Sequence, residues 1–371
     1  MGNLHKLSAA VVAAVVAATL ATAAATAQAN EVRVYNWSDY IAPETLDKFT
    51  EQTGIDVVYD VFDSNEVLDA ALLSGRSGYD VVVPSTYFLT RQIKAGVYQE
   101  LDHDKLPNLD NLDSQLLQNL DVVDEGSRYS VPYMWGTNGI GYNRDRVTEI
   151  LGDDAPLDSW ALLFDADITT QLAEAGCGLS MLDSGSEMLT PALAYLGLDP
   201  HSNDMDDLQA AGDLIASVRD NMTYFHSSRY VSDLANGDIC VAAGYSGDVF
   251  QAADRAEEAE RDFTIAYSIP KEGAELWFDM MAVPADAPNP DNAHAFINFI
   301  LEPEIAAEIT EYVRYANPNA AADEFLSEDI LNDRAIYPSD EVMENLYVIA
   351  EKPQDVQRAR TRIWNRVKSG R

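Results

Sequence analysis

The apolar positions change period several times along the chain. "EVRVYNW", residues 31–37, alternates apolar and polar positions, the period of a half-buried strand. From Pro43 to Thr53 the spacing turns helical: proline opens the first turn, Leu46 and Phe49 share a face, and Gly54 stops it. "IDVVYDVF" reads as the next strand, and "SNEVLDAALLSG" as a helix capped by Ser64 with Leu68, Leu72 and Leu73 inward. "YDVVVPS" is a continuous apolar run ending at Pro84, the mark of a strand buried on both faces. "TYFLTRQIKAG" follows as a helix. The order βαβαβα predicts an open parallel sheet covered by helices.

The middle of the chain breaks this rhythm. "VPYMWGTNGIGYN" is rich in glycine and aromatics and reads as a segment crossing between two lobes. A second α/β block runs through "DLANGDICVAAGYSGDVFQAADRAEEA", and "FTIAYSIPKEG" reads as the returning chain. "AHAFINFILEPEIAAEITEYVRYAN" has the spacing of an amphipathic helix. Ligands of open α/β sheets sit outside the carboxyl ends of the strands. "NWSDY", "VPSTY" and "GYSGD" each end a predicted strand, so two lobes with these ends facing would form a cleft.

Composition narrows the setting. Residues 1–29 read as a cleaved secretory leader: Lys6, an Ala/Val/Leu run from about Leu7 to Leu20, and Ala27-Gln28-Ala29 before Asn30. The remaining chain exceeds what one hydrophobic core usually holds, which predicts two lobes. Net charge is -38 for 371 residues, with 62 acids against 24 bases. That balance argues against nucleic acid and anionic membranes and suits a cationic ligand, although most acids belong on solvated faces. Cys177 and Cys240 in an exported chain predict one disulfide, two buried thiols being the alternative. His103, His201, His226 and His294 have no paired spacing, so neither a metal nor a cofactor is expected.

Enzyme signatures fail. "GYSGD" departs from a nucleophile elbow because Asp248 stands where the second glycine belongs. No P-loop, H-E-x-x-H or dinucleotide fingerprint is present. The predicted strand ends instead pair an aromatic with a carboxylate: Trp37 with Asp39, Tyr245 with Asp248, Trp277 with Asp279. An aromatic in a core beside a helix-capping Asp gives the same letters; three such pairs at cleft positions favour a site. Aromatic faces hold methylenes and attract ammonium, and carboxylates give ammonium charge-assisted hydrogen bonds. Carboxylates near helix starts reverse the local sign that an anion binder would use.

The segments "YNWSDYIAP", "VYDVFDSNEVL", "DVVVPS", "VPYMWGTNGIGYN", "YFHSSRYVSDLANGDICVA", "SIPKEGA" and "RTRIWNRVKSG" together resemble the periplasmic putrescine- and spermidine-binding proteins of ABC transporters, from residue 31 to the C-terminus. The resemblance implies a type II solute-binding fold, two α/β lobes that close like a hinge on a ligand cleft. On that pattern lobe 1 spans 30–137 plus about 268–330, and lobe 2 spans 138–267 plus about 331–371. It implies ligand contacts at Trp37, Ser38, Asp39, Tyr40, Ser85, Tyr87, Glu187, Tyr245, Asp248, Trp277, Asp279 and Tyr315, and a pair at Cys177 and Cys240. Tyr87 and Trp277 look like the spermidine type, while Ser38, Asp39 and Asp248 look like the putrescine type. The implied role is delivery of a polyamine to a membrane permease by a periplasmic monomer without enzymatic activity. A polyamine sensor, or a type II binder of another solute, is the alternative.

Overall fold

The computed structural model describes residues 30–349 and 351–370; the expected leader lies outside the described residues. Ten strands are present among them: β1 (Glu31–Trp37), β2 (Asp56–Phe62), β3 (Val81–Val82), β4 (Ser130–Asn143), β5 (Leu179–Met181), β6 (Tyr224–Phe225), β7 (Val241–Tyr245), β8 (Ile265–Ser268), β9 (Ala274–Ala282) and β10 (Leu346–Tyr347). The strand order is β2-β1-β3-β9-β4-β7-β5-β6, with β8 on β4 and β10 on β9.

β1 is parallel to both β2 and β3, as the opening βαβαβα pattern requires. Its alternation buries Val32, Val34 and Asn36. The helix Pro43–Thr53 begins on its proline and ends where Gly54, at φ 71°, returns its N–H to the Thr50 carbonyl. Its Phe49 is fully buried against Phe296 and Phe299, ring centroids 5.2 and 5.4 Å away. That burial stabilises the lobe by roughly 2–3 kcal/mol. The apolar run at residues 79–85 forms only two ladder residues, Val81 and Val82, both fully buried.

β4 is the long crossing element. Its first half pairs antiparallel with β9 from Ser130↔Ala282 to Thr137↔Leu276. Its second half pairs with β7 from Asn138↔Tyr245 to Tyr142↔Val241, and with β8. One strand therefore joins two separate cores. One core gathers Val32, Phe49, Val131, Trp277, Phe296 and Ile309. The other gathers Ile140, Trp160, Leu189, Ile215, Val241 and, from the helix Gln354–Ser369, Ile363 and Trp364. The Cys177–Cys240 disulfide lies in the second core, with Cα atoms 5.4 Å apart.

Leu73, expected inward on the helix Asn65–Leu73, is exposed, and one whole element also departs from expectation. The predicted helix through "AHAFINFILEPEIAAEITEYVRYAN" is two helices, Pro290–Ile300 and Pro303–Val313. Pro303 has no N–H to donate to a preceding turn and instead opens the second helix.

Candidate functional site

The ends of β1, β3 and β7 and one face of β9 meet around a chamber with about 480 Å³ of empty space, its mouth included. β1 ends at Trp37, whose indole N–H donates to the Val83 carbonyl (2.9 Å). The next residue, Ser38, lines the chamber with both its N–H and hydroxyl tied to the Phe62 carbonyl (3.0 and 3.2 Å). Tyr40 is buried, and its backbone carbonyl accepts the Tyr133 hydroxyl (2.5 Å). After β3, Ser85 donates its hydroxyl to Asp279 Oδ1 (2.5 Å). Asn65 fixes this corner by donating to both Ser85 Oγ (3.0 Å) and the Tyr87 hydroxyl (3.1 Å).

β9 supplies the floor. Glu275, Trp277 and Asp279 lie two apart, so the strand period puts all three on one face. All three line the chamber. Trp277 donates its indole N–H to Asn138 Oδ1 (2.9 Å), and Asn138 donates to Glu275 Oε2 (2.8 Å). Gly136 lets β4 approach this ring: a Cβ there would stand 2.8 Å from Trp277 Cζ2.

The other lobe closes the chamber with two helix starts. Ser184 caps the helix Gly185–Tyr195 and places Glu187 in its first turn. β7 delivers Tyr245 directly into the helix Ser246–Glu258, with Asp248 in its first turn. Asp248 accepts the Tyr230 hydroxyl on Oδ2 (2.7 Å) and the Tyr315 hydroxyl on Oδ1 (2.8 Å). Those hydroxyls in turn accept the N–H groups of Tyr245 and Asp248 (both 3.0 Å). Gly247 permits the contact, since a Cβ there would stand 2.5 Å from the Tyr315 ring. Trp277 meets Tyr315, Tyr245 and Tyr40 at centroid distances of 5.3, 6.0 and 6.5 Å, so aromatic rings wall the space between the carboxylates.

Charge is one-sided here. Glu187, Asp248, Glu275 and Asp279 are all buried, and no lysine, arginine or histidine lines the chamber among the described residues. Burial pushes Asp248 up to about 6, against the pull of the Tyr230 and Tyr315 hydroxyls. Burial pushes Asp279 up to about 7, opposed by Ser85 and Tyr40 and reinforced by Glu187. Glu275 rises well above the usual carboxylate range through burial and then the Glu187 charge, and burial raises Glu187. The acids fall into two groups. Glu187 acts on both Glu275 and Asp279, whereas the charges felt by Asp248 are Asp39 and Arg255. The buried hydroxyls of Tyr40 and Tyr245 make no hydrogen bond of ordinary geometry, yet each lies near enough to a carboxylate, Asp279 and Glu187 respectively, to oppose its rise. Buried anions around aromatic rings, with no lysine, arginine or histidine among the described lining residues, fit a ligand that is cationic at both ends and apolar between.

Of the residues expected at the site, Trp37, Ser38, Tyr40, Ser85, Tyr87, Glu187, Tyr245, Asp248, Trp277, Asp279 and Tyr315 line this chamber. Asp39 does not. Its backbone is left-handed at φ 54°, and its half-exposed carboxylate takes Arg255 Nη2 (2.8 Å) outside. Gln251 also donates to the Asp39 carbonyl (3.2 Å). Asp39 thus ties the first lobe to the helix that carries Asp248, rather than facing the chamber. Glu275 was not foreseen, nor were Phe62, Asp63, Ser227 and Ser228. For Glu275 the signal was present, two positions before Trp277 on the same strand face.

Residues 44–338 match the family described as bacterial extracellular solute-binding protein. The chain belongs to this family. Among solute-binding relatives, the chain is 57% identical over 340 residues to the putrescine-binding periplasmic protein SpuD of Pseudomonas aeruginosa, with 92% of each chain covered. It is 48% identical over 341 residues to the putrescine-binding periplasmic protein PotF of Escherichia coli, again with 92% of each covered. A solved structure of a putative spermidine/putrescine ABC transporter from Listeria monocytogenes superposes with a TM-score of 0.80 at 35% identity, covering 92% of this chain and all of that one. The fold is that of the type II solute-binding proteins, two α/β lobes with a hinge and a cleft between them.

Proposed function

We propose that this protein binds putrescine, and spermidine more weakly, in the inter-lobe chamber and delivers it to the permease of a polyamine ABC transporter. The observation that carries this reading is the set of buried carboxylates, unmatched by any lining cation, around a mostly aromatic channel. One ammonium sits at Asp248, the other at Glu187, Glu275 and Asp279, and the methylenes lie against Trp37, Tyr40, Tyr245, Trp277 and Tyr315. The similarity to putrescine-binding relatives supports the same ligand. That the relatives at 57% and 48% identity are binding proteins supports binding without catalysis. The first two lobe boundaries fall near residues 137 and 268, where β4 passes between the cores and the chain returns toward β9; the third falls beyond Ile336 and Tyr337, which still pack with Ala306 and Ala307. The protein acts as a monomer after export, beginning at Asn30.

Calorimetry on refolded, ligand-free protein tests the reading with putrescine, cadaverine, spermidine and spermine, and with sulfate and calcium as controls. One putrescine per chain is expected, with no response to either control. No heat with any of the polyamines would sink the proposal.

A further inference from the structure

A second cavity, with about 900 Å³ of empty space, adjoins the chamber on the far side of Tyr87. Tyr87 lines both cavities; Ser186 lines the second and its neighbour Glu187 the first. The sign of the charge reverses across this wall. Arg91, Lys352 and Arg360 line the second cavity, against a single acid, Glu351. In a chain with 62 acids and 24 bases, this is a local inversion rather than the average surface.

Arg360 is the buried member of the set, only 2% exposed. Its Nη2 donates to the Ser186 carbonyl (3.0 Å) and to Thr190 Oγ1 (2.6 Å). Its Nε and Nη1 have no partner. Lys352 donates to a neutral acceptor, the His201 carbonyl (2.8 Å). By contrast, Arg91 is matched by Asp69 (2.9 Å), and Glu351 is taken by Lys94 (2.6 Å). Two cations behind the wall are therefore without a contacting carboxylate. Burial and the charge of Arg360 lower the Lys352 ammonium, and burial lowers Arg360 to about 10 against the opposing pull of Glu275.

We infer that Arg360 and Lys352 limit the length of the ligand by charge. This rests on the polyamine reading above. A diamine ends at Glu187, Glu275 and Asp279, and its second ammonium gains from them. A triamine placed the same way continues past Tyr87, and its third ammonium meets the charges of Arg360 and Lys352, neither of which has a carboxylate in contact. Tyr87 forms the wall between the two cavities, and the basic residues behind it set the preference for the shorter ligand.

The test measures Kd for putrescine and spermidine with the wild type, Arg360→Gln and Lys352→Gln. A like charge at about 10 Å with an effective dielectric of about 20 changes affinity on the order of tenfold. The spermidine-to-putrescine ratio of Kd is expected to fall on the order of tenfold in Arg360→Gln and about threefold in Lys352→Gln. Lys352 is outside the core, so it reports even where Arg360→Gln fails to fold. An unchanged ratio in folded Lys352→Gln, or parallel weakening of both ligands in both variants, overturns the inference, because a merely structural role would produce either. Equal affinity of the wild type for both ligands overturns it while leaving the polyamine reading intact. If the wild type binds neither, both readings fall.

Discussion

Replacing Asp248 with Asn separates binding from stability, because the two should move in opposite directions. Asp248 is held by the Tyr230 and Tyr315 hydroxyls, but burial still raises it from 3.8 to about 6. At about 1.4 kcal/mol per unit, keeping it charged in the empty chamber costs about 3 kcal/mol. A folded-state value above the unfolded one means the native state holds more protons. That destabilisation is absent below about pH 4 and complete above about pH 6. Asn removes it but can accept from only one of the two hydroxyls, a loss of about 1 kcal/mol. The ligand-free variant should therefore be about 2 kcal/mol more stable at pH 8, a gain that turns into a loss of about 1 kcal/mol toward pH 4, where only the missing hydrogen bond remains. Putrescine loses a buried charge partner, and its affinity should fall by about 2–5 kcal/mol, roughly 30-fold or more. Urea titrations at both pH values and calorimetry at pH 8 measure the two effects. A Kd within about threefold of wild type, or a variant less stable than wild type at pH 8, would refute the reasoning.

Other consequences follow from the same geometry. Asp279 and Asp248, raised to about 7 and about 6, must ionise to hold ammonium, so putrescine affinity should fall by roughly tenfold or more between pH 8 and pH 5.5; a flat profile would contradict this. Arg255→Gln breaks an exposed bridge to Asp39, so calorimetry should show less than about tenfold weakening, against the far larger loss at Asp248. Gly247→Ala forces a Cβ to within 2.5 Å of the Tyr315 ring and the Val313 carbonyl, and putrescine titration should show weakened binding as that ring is displaced. Cys177→Ser with Cys240→Ser opens a bridge spanning 63 residues within the second core. It should lower stability to urea by about 4 kcal/mol while leaving the putrescine Kd nearly unchanged.

The first lobe was legible because its signals are local. The alternation of "EVRVYNW", Pro43 with Gly54, and the Ser64 cap each act within a few residues and appear where expected. The chamber was legible where an aromatic and a carboxylate follow a strand, as at Tyr245 with Asp248; Trp277 and Asp279 also line it, but from the middle of β9 rather than from a strand end. Asp39 was not, because its direction depends on one left-handed backbone angle that Ser38 and Tyr40 do not announce. Glu275 follows from strand period alone, once β9 is known to begin at Ala274 rather than after it. Tyr230 and Asn138 lay beyond sequence reading altogether. They touch no empty space; they hold Asp248 and Glu275 through contacts 18 and 137 residues apart.

The most direct test of the central claim is a crystal structure of the refolded protein with putrescine. One diamine is expected in the chamber, with one nitrogen within hydrogen-bond distance of Asp248 and the other among Glu187, Glu275 and Asp279. Its methylenes should lie against Trp37 and Trp277. A diamine bound outside this chamber, or an empty chamber at saturating putrescine, would contradict it.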